Sequence, residues 1–220
     1  MKTGLAAIVL LLQAVAGTAA AAKGPVLREA DAQVRLIDDV TCEVSLVLTV
    51  DLPERLVVDH RLLLYPGTRV SGVAVSGEGV TRQTERTIGT TMSLALGIDA
   101  GTRRYQVSYR VAQPRTWAHR CPMWVPEIPT DGIKRSVRVS ASLPPGAELL
   151  PDTFPALTLT SSGAADVVLG HLPSIIRVLY AGPGEQVAWI DRFSRRRLGD
   201  LAAIVFVIAA FVVRFARRAR

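Results

Sequence analysis

The sequence predicts an all-β protein, an antiparallel β-sandwich with an N-terminal signal peptide and one C-terminal transmembrane helix. Apolar and polar side chains alternate along the middle of the chain, turn-forming Pro and Gly residues separate these runs, and an apolar segment lies near each end. The expected segments are a signal peptide (1–22), an exported sandwich (23–184), a juxtamembrane helix (185–197), a transmembrane helix (198–215) and a basic cytoplasmic tail (216–220).

The N-terminal segment has the three parts of a secretory signal peptide. Lys2 supplies the positive start, residues 5–15 are apolar except for Gln13, and small residues lead to Ala22. Cleavage after Ala22 is expected, although an uncleaved anchor remains an alternative.

The exported segment is predicted to be a sandwich because its hydrophobicity has a period of two residues. Four runs alternate over 44–50, 92–98, 105–111 and 137–143. Shorter strand-like runs lie at 33–37, 61–65, 70–75, 79–84, 157–160, 166–169 and 175–180. We expect one sandwich, with two small β-domains divided near residues 113–134 as the alternative.

The C-terminal apolar run is long enough to span a membrane only if it extends over residues 198–215. These 18 residues would rise about 27 Å as a helix, close to the roughly 30 Å hydrocarbon core. Arginines flank both sides equally, so the signal peptide decides the orientation and leaves the tail in the cytoplasm. The side chains expected at the membrane interface are Trp189, Phe193, Arg195, Arg196, Arg197, Arg214, Arg217 and Arg218.

The net charge of +7 does not indicate nucleic-acid binding. Residues 191–220 hold eight Arg and two Asp, whereas residues 23–190 hold 17 basic and 17 acidic residues. A neutral exported domain lacks the basic surface that a polyanion requires. The expected partners are therefore membrane lipid and a protein of the cell envelope.

Two cysteines occur, Cys42 and Cys121, both in the exported segment. In an oxidising compartment such a pair predicts a disulfide. The bridge would close a loop of about 80 residues and stabilise the fold by about 4.5 kcal/mol.

The stretch "WAHRCPMWVPEIPTDG", residues 117–132, is unusual in composition. Its prolines exclude an interior strand, and its tryptophans are expected to cover one end of the core, so it predicts a tethered loop. Exposed Trp and Pro also favour recognition. The candidate interaction residues are Trp117, His119, Met123, Trp124 and Pro126.

The same stretch suggests a copper site as an alternative. His119, Cys121 and Met123 would share one face of an extended segment, and imidazole with sulfur suits copper. A second histidine ligand is not placed by the sequence, so no metal or other cofactor is expected.

Catalytic motifs are absent from the sequence. The histidines are isolated from one another, and a hydrolase would need His60 or His171 beside a serine and a carboxylate. The chain is therefore not expected to be an enzyme.

The order of segments resembles a family of predicted bacterial membrane proteins. It is carried by "LIDDVTCEVSLVLTVDLPERLVVDHRLLLYPG", "YQVSYRVAQ" and "WVPEIPTDGIKRSVRVSASLPPG". Those proteins place an exported β-sandwich of unknown function before membrane helices. The present chain differs in having one such helix, and its cysteine pair is no part of the pattern.

Together these features predict a domain anchored in the cytoplasmic membrane that acts as a non-catalytic interaction or scaffolding module. A subunit of an envelope complex is one such role. The alternatives are a copper or redox domain and a surface protein with a C-terminal sorting tail. The sorting motifs Leu-Pro-x-Thr-Gly and Pro-Glu-Pro do not precede the apolar run, where the sequence has "SRRRLGD".

Overall fold

A computed structural model describes residues 24–114, 118–131, 136–159, 164–182 and 204–206. Strands dominate these residues, which confirms the predicted all-β class. The strands in the described residues are β1 (Val26–Leu36), β2 (Thr41–Leu52), β3 (Leu56–Leu63), β4 (Arg69–Gly77), β5 (Val80–Ile88), β6 (Thr91–Ile98), β7 (Gly101–Ala112), β8 (Ala118–Pro122), β9 (Val125–Pro126), β10 (Val137–Ser142), β11 (Glu148–Leu149), β12 (Thr158–Leu159), β13 (Ala164–Leu169) and β14 (Ile175–Ala181).

The strands form one large sheet and two smaller ones. The large sheet has the order β12-β13-β10-β1-β2-β7-β4, and the smaller sheets have the orders β11-β14-β8 and β5-β6-β3-β9. The predicted antiparallel pairing holds for the paired strands except β1 and β10, which run parallel. The large sheet is therefore mixed, because β1 pairs with its antiparallel neighbour β2 on one side and with the distant β10 on the other.

Strand β2 shows how the sequence pattern produces the layers. Its 12 residues alternate between partly exposed and buried without interruption. The buried members include Leu46, Leu48 and Val50, each 0% exposed. Since successive side chains of a strand point to opposite faces, this register places one face of the large sheet on the core and the other in solvent.

The three sheets share one core. Buried side chains from the large sheet, such as Leu46, join Leu94 of β6 and Ile176 of β14 in a single hydrophobic cluster. Two small β-domains divided near residues 113–134 would have two separate cores. The described residues on both sides of that stretch pack into the same cluster, which gives the fold its sandwich-like character.

The stretch that was expected to form a loop contains two short strands. Strand β8 pairs with β14 in the three-stranded sheet, and β9 pairs with β3 in the four-stranded sheet. Both lie at sheet edges, and Pro122 occupies the last position of β8. Proline is tolerated there because an edge strand needs hydrogen bonds on one side only.

Most of the predicted terminal segments lie outside the described residues. These are the signal peptide, the juxtamembrane helix, the basic tail and the interface residues Trp189, Phe193, Arg195, Arg196, Arg197, Arg214, Arg217 and Arg218. Of the expected transmembrane segment, residues 204–206 are described, and they are helical with exposed side chains. No helix within the described residues has the length and the apolar character that crossing a membrane requires.

Candidate functional site

The two cysteines meet between two sheets in the core. Cys42 of β2 and Cys121 of β8 are both buried, and their sulfur atoms are 3.0 Å apart. The predicted pairing partner is thus in contact, but both residues are free thiols and the predicted disulfide bond is not formed in the structure. The separation is that of a hydrogen bond between thiols rather than of a covalent bond of about 2.05 Å.

The thiol pair has an asymmetric charge preference. A hydrogen bond from Cys121 stabilises the Cys42 thiolate and is the largest cause that lowers the pKa of Cys42 to about 6, against the opposing effect of burial. The imidazole of His119 lowers the same pKa further. The pKa of Cys121 is raised well above its usual value by its hydrogen bond to Cys42 and by burial. The pair therefore gives up its first proton easily and holds the second tightly.

His119 is the unusual member of this cluster. It is 0% exposed, and neither ring nitrogen has a hydrogen-bond partner of ordinary geometry. Its ring lies 5.6 Å from that of Tyr180, measured between centroids. A buried polar group without a partner typically costs about 1–3 kcal/mol. Such an uncompensated group in a native core suggests a role for its chemistry, here beside two thiols.

The other buried histidine, His60, has partners at both nitrogens. Its Nδ1 lies 3.2 Å from the Val58 carbonyl oxygen, and its Nε2 lies 2.7 Å from the Tyr105 hydroxyl oxygen. A carbonyl only accepts hydrogen bonds, so Nδ1 carries the proton and Nε2 accepts from Tyr105. Burial lowers the pKa of His60 to about 4 and raises that of Tyr105 above its ordinary value. The ring that a hydrolase would use as a base is already engaged.

The candidate interaction residues are interior in the described part of the stretch. The side chains of His119, Met123 and Trp124 are each 0% exposed, and Pro126 is buried. Trp117 lies outside the described residues. Burial follows from the formation of β8 and β9, which carry these side chains into the sandwich. In this conformation the four buried side chains offer no recognition surface.

Tyr109 of β7 contacts the stretch that contains β8 and β9 from within the core. Its hydroxyl donates to the Pro122 carbonyl oxygen at 2.6 Å, and its ring meets that of Trp124 edge-on at 6.5 Å between centroids. We did not predict from the sequence that Tyr105 and Tyr109 would bind His60 and Pro122 through their hydroxyl groups. The available signal was that Tyr105 and Tyr109 occupy inward positions of an alternating strand, where a buried hydroxyl must find a partner.

The copper ligand set is not assembled. His119 and Cys121 lie on the inward face of β8, but Met123 follows the strand, and the Tyr109 hydroxyl contacts its sulfur at 3.9 Å. Within the described ranges, no group of three or more His, Cys, Asp and Glu side chains is placed to hold a metal ion. What the cluster offers chemically is a dithiol beside an imidazole.

No family model matches the chain, and no curated protein matches it. Among solved structures, the chain is similar to an M1 zinc metallopeptidase from Deinococcus radiodurans, with 18% identity, 71% of this chain and 42% of that chain covered, and a TM-score of 0.35. It is also similar to native leukotriene A4 hydrolase from Saccharomyces cerevisiae, with 10% identity, 71% and 29% covered, and a TM-score of 0.43. The chain spans less than half the length of either, and at this distance neither protein's activity extends to it.

Proposed function

We propose that the protein is an extracytoplasmic interaction module, held to the cytoplasmic membrane by residues 198–215 and engaging a protein of the cell envelope without catalysing a reaction. The exposed edge strand β5 is the observation that carries this proposal. Of its nine residues, eight are exposed. The sequence suggested the stretch around His119 as the binding surface, but that stretch is buried. We therefore assign the binding surface to β5.

Among the described residues, β5 has no strand at its outer edge, and its side chains are mostly exposed, with Arg82 donating to the Val73 carbonyl oxygen of β4. It is the first strand of the four-stranded sheet and pairs with β6 on one side, while the preceding β4 is the edge of the large sheet. The free edge of a strand carries backbone donors and acceptors that an extended segment of another protein can bind. An ion pair between Arg82 and Glu85 lies on the strand, and it supplies charges that a partner strand would have to match.

Crosslinking in intact cells tests this binding mode. A photoreactive amino acid at Thr87 of β5 should give one adduct, whereas the matched exposed position Thr102 of β7 should not. Exchanging the charges, Arg82→Glu with Glu85→Arg, keeps an ion pair on β5 but reverses its direction, so the adduct should disappear. An adduct that survives the exchange, or identical adducts at Thr87 and Thr102, would show that β5 is not the binding surface.

The proposed membrane anchor is supported by the sequence of residues 198–215, which contains the exposed helical residues 204–206. Deleting residues 198–220 should move the protein from the membrane fraction to the soluble fraction. Deleting residues 216–220 alone should leave it in the membrane. A mature chain whose mass ends before residue 198 would favour the sorting-tail alternative instead.

The contact between Cys42 and Cys121 would allow the two thiols to form a disulfide bond in an oxidising, exported compartment. We propose that the two thiols transfer two electrons and two protons to a disulfide-bearing oxidase of the envelope and form one bond between β2 and β8. Thiol trapping of protein taken directly from membranes should find both residues blocked until reductant is added. Free thiols in that sample would exclude the bridge and weaken the exported assignment.

A further inference from the structure

We propose that a cleft beside β8 binds a phosphate group, with Arg120 and Arg177 as its anion ligands. The cleft has a volume of about 180 Å³, and its lining includes Tyr65, Gln113 and both arginines. It lies on the face of β8 opposite to the thiol pair, because Arg120 is exposed between the buried His119 and Cys121. The proposal is independent of binding through β5.

The two arginines are directly opposed. Arg177 of β14 is the register partner of Arg120, so both side chains lie on the same face of the sheet. Like charges in that position repel each other. Within the described part of the chain, neither guanidinium forms an ion pair with a carboxylate. A bound anion would relieve this repulsion.

Arg177 also has an unused donor. Its Nη2 donates to the Asp152 carbonyl oxygen at 2.7 Å, which fixes the side chain, while its Nε is buried and has no hydrogen-bond partner. The Nε atom is enclosed by protein, so the Arg177 atoms left for a ligand are the remaining donors of the guanidinium group. The planar guanidinium suits the oxygens of a phosphate in particular.

Arg120 is held from two sides. Its guanidinium carbon lies 5.9 Å from the centroid of the Tyr65 ring, which is within range for a cation–π interaction. Its backbone N–H donates to the Gln113 side-chain oxygen at 3.0 Å, and the Gln113 amide reaches the Ala118 carbonyl oxygen at 3.5 Å. The wall that carries Arg120 is therefore fixed before any ligand arrives.

The opposite wall is a tight turn that requires glycine. The Thr68 N–H donates to the Tyr65 carbonyl oxygen at 2.9 Å, and Gly67 has a φ of +79°. A Cβ atom at Gly67 would lie 2.6 Å from the Cγ atom of Pro114. Glycine thus satisfies both the backbone conformation and the close contact, and the cleft is a formed site rather than a gap between mobile loops.

The charge of the cleft favours phosphate over carboxylate. Two guanidinium groups side by side match a phosphate monoester, which carries about −1.5 to −2 charges at neutral pH, better than a single carboxylate. The phosphate could belong to a soluble compound or to a lipid headgroup.

Titration of the full chain in detergent micelles with inorganic phosphate tests the site, with chloride at equal ionic strength as the reference. Phosphate should raise the melting temperature of the wild-type chain. Arg120→Gln and Arg177→Lys should each weaken binding about tenfold, since each removes at least one charge-assisted hydrogen bond. Arg104→Gln, which removes an exposed arginine of β7 away from the cleft, should bind as the wild type does.

The two sources of phosphate are distinguished by adding phosphatidic acid to the micelles. If phosphatidic acid competes with inorganic phosphate in the wild type and not in Arg120→Gln, the site binds a lipid headgroup. If phosphate binds and phosphatidic acid does not compete, the site binds a soluble compound. Equal phosphate affinity in the wild type and in both cleft variants would overturn the proposal. So would a wild-type chain that ignores phosphate and phosphatidic acid, or one that binds an acidic peptide instead. The melting temperature without ligand reveals any variant that fails to fold.

Discussion

The two histidines of the core are equally buried and have opposite surroundings. His60 donates to a backbone carbonyl and accepts from Tyr105, so its burial is compensated at both nitrogens. His119 has no hydrogen-bond partner of ordinary geometry and lies beside the thiols of Cys42 and Cys121. Burial alone therefore does not define the role of a histidine. The first stabilises the packing of β3 on β7, while the second retains unused polar atoms beside a reactive pair.

Oxidation of the two thiols beside His119 should have the largest effect on the free energy of unfolding. A bond between Cys42 and Cys121, 79 residues apart in sequence, should stabilise the fold by about 4 kcal/mol through the entropy of the unfolded chain. The measurement is the free energy of unfolding in denaturant with and without reductant. The double variant Cys42→Ala with Cys121→Ala should not respond to reductant. An unchanged wild-type value would show that the thiols stay reduced or that the bond is strained.

A fall in pH should destabilise the fold through protonation of His60. The folded state holds the pKa of His60 at about 4 against 6.5 in the unfolded chain, so the unfolded state binds the proton first as the pH falls. The contribution of His60 to stability is complete above pH 6.5 and decreases by about 3 kcal/mol as the pH falls to 4. Denaturant unfolding of wild type and His60→Gln as a function of pH should show this difference in slope. Equal slopes in the two proteins would show that the folded state does not lower the pKa of His60.

Removal of the Tyr105 hydroxyl should deprive His60 of a hydrogen bond while the packing of the two rings is kept. In Tyr105→Phe, Nε2 of His60 stays buried and loses its donor, so we expect a loss of about 1–3 kcal/mol in the free energy of unfolding. Tyr65→Phe, at a partly exposed ring, should change that free energy by less than about 0.5 kcal/mol. Equal changes in the two variants would mean that the hydrogen bond between Tyr105 and His60 contributes nothing to stability.

The smallest effect is expected from His119→Leu. The change removes two nitrogens without a partner of ordinary geometry, and it also removes the contact that lowers the pKa of Cys42, so the free energy of unfolding should change by about 1 kcal/mol at most. The same change at His60 should be strongly destabilising, because it leaves Tyr105 without its acceptor. Loss of the imidazole should also raise the pKa of Cys42, measured by thiolate absorbance. Equal losses at both positions would remove the distinction between the two histidines.

Hydrophobic alternation predicted most of the sheet strands. The four longest alternating runs became parts of β2, β6, β7 and β10, because a half-buried strand imposes a period of two on its own sequence. The parallel pairing of β1 with β10 left no such local signal. It depends on the arrangement of the whole sheet, in which β10 lies between β1 and β13.

The candidate site was predictable only in part. The contact of Cys42 with Cys121 was expected from the prediction that the segment lies in an oxidising compartment. The strand that carries Cys121 was missed because Pro122 and Pro126 masked its pattern. Trp124 is buried, as a side chain that covers the core must be, and is not exposed as recognition would require. The contacts of His60 with Tyr105 and of Arg120 with Arg177 depend on strand register, which no short stretch of the sequence reveals.

The alternation along β8 makes the length of this strand more critical than its composition. His119 and Cys121 face the core, and Arg120 between them faces outward. Inserting or deleting one residue would exchange the two faces, so that a guanidinium would replace a thiol in the interior and the imidazole would be turned into water. Gain or loss of a single codon within 118–122 would therefore abolish the dithiol and the basic cleft together, even if every residue type were kept.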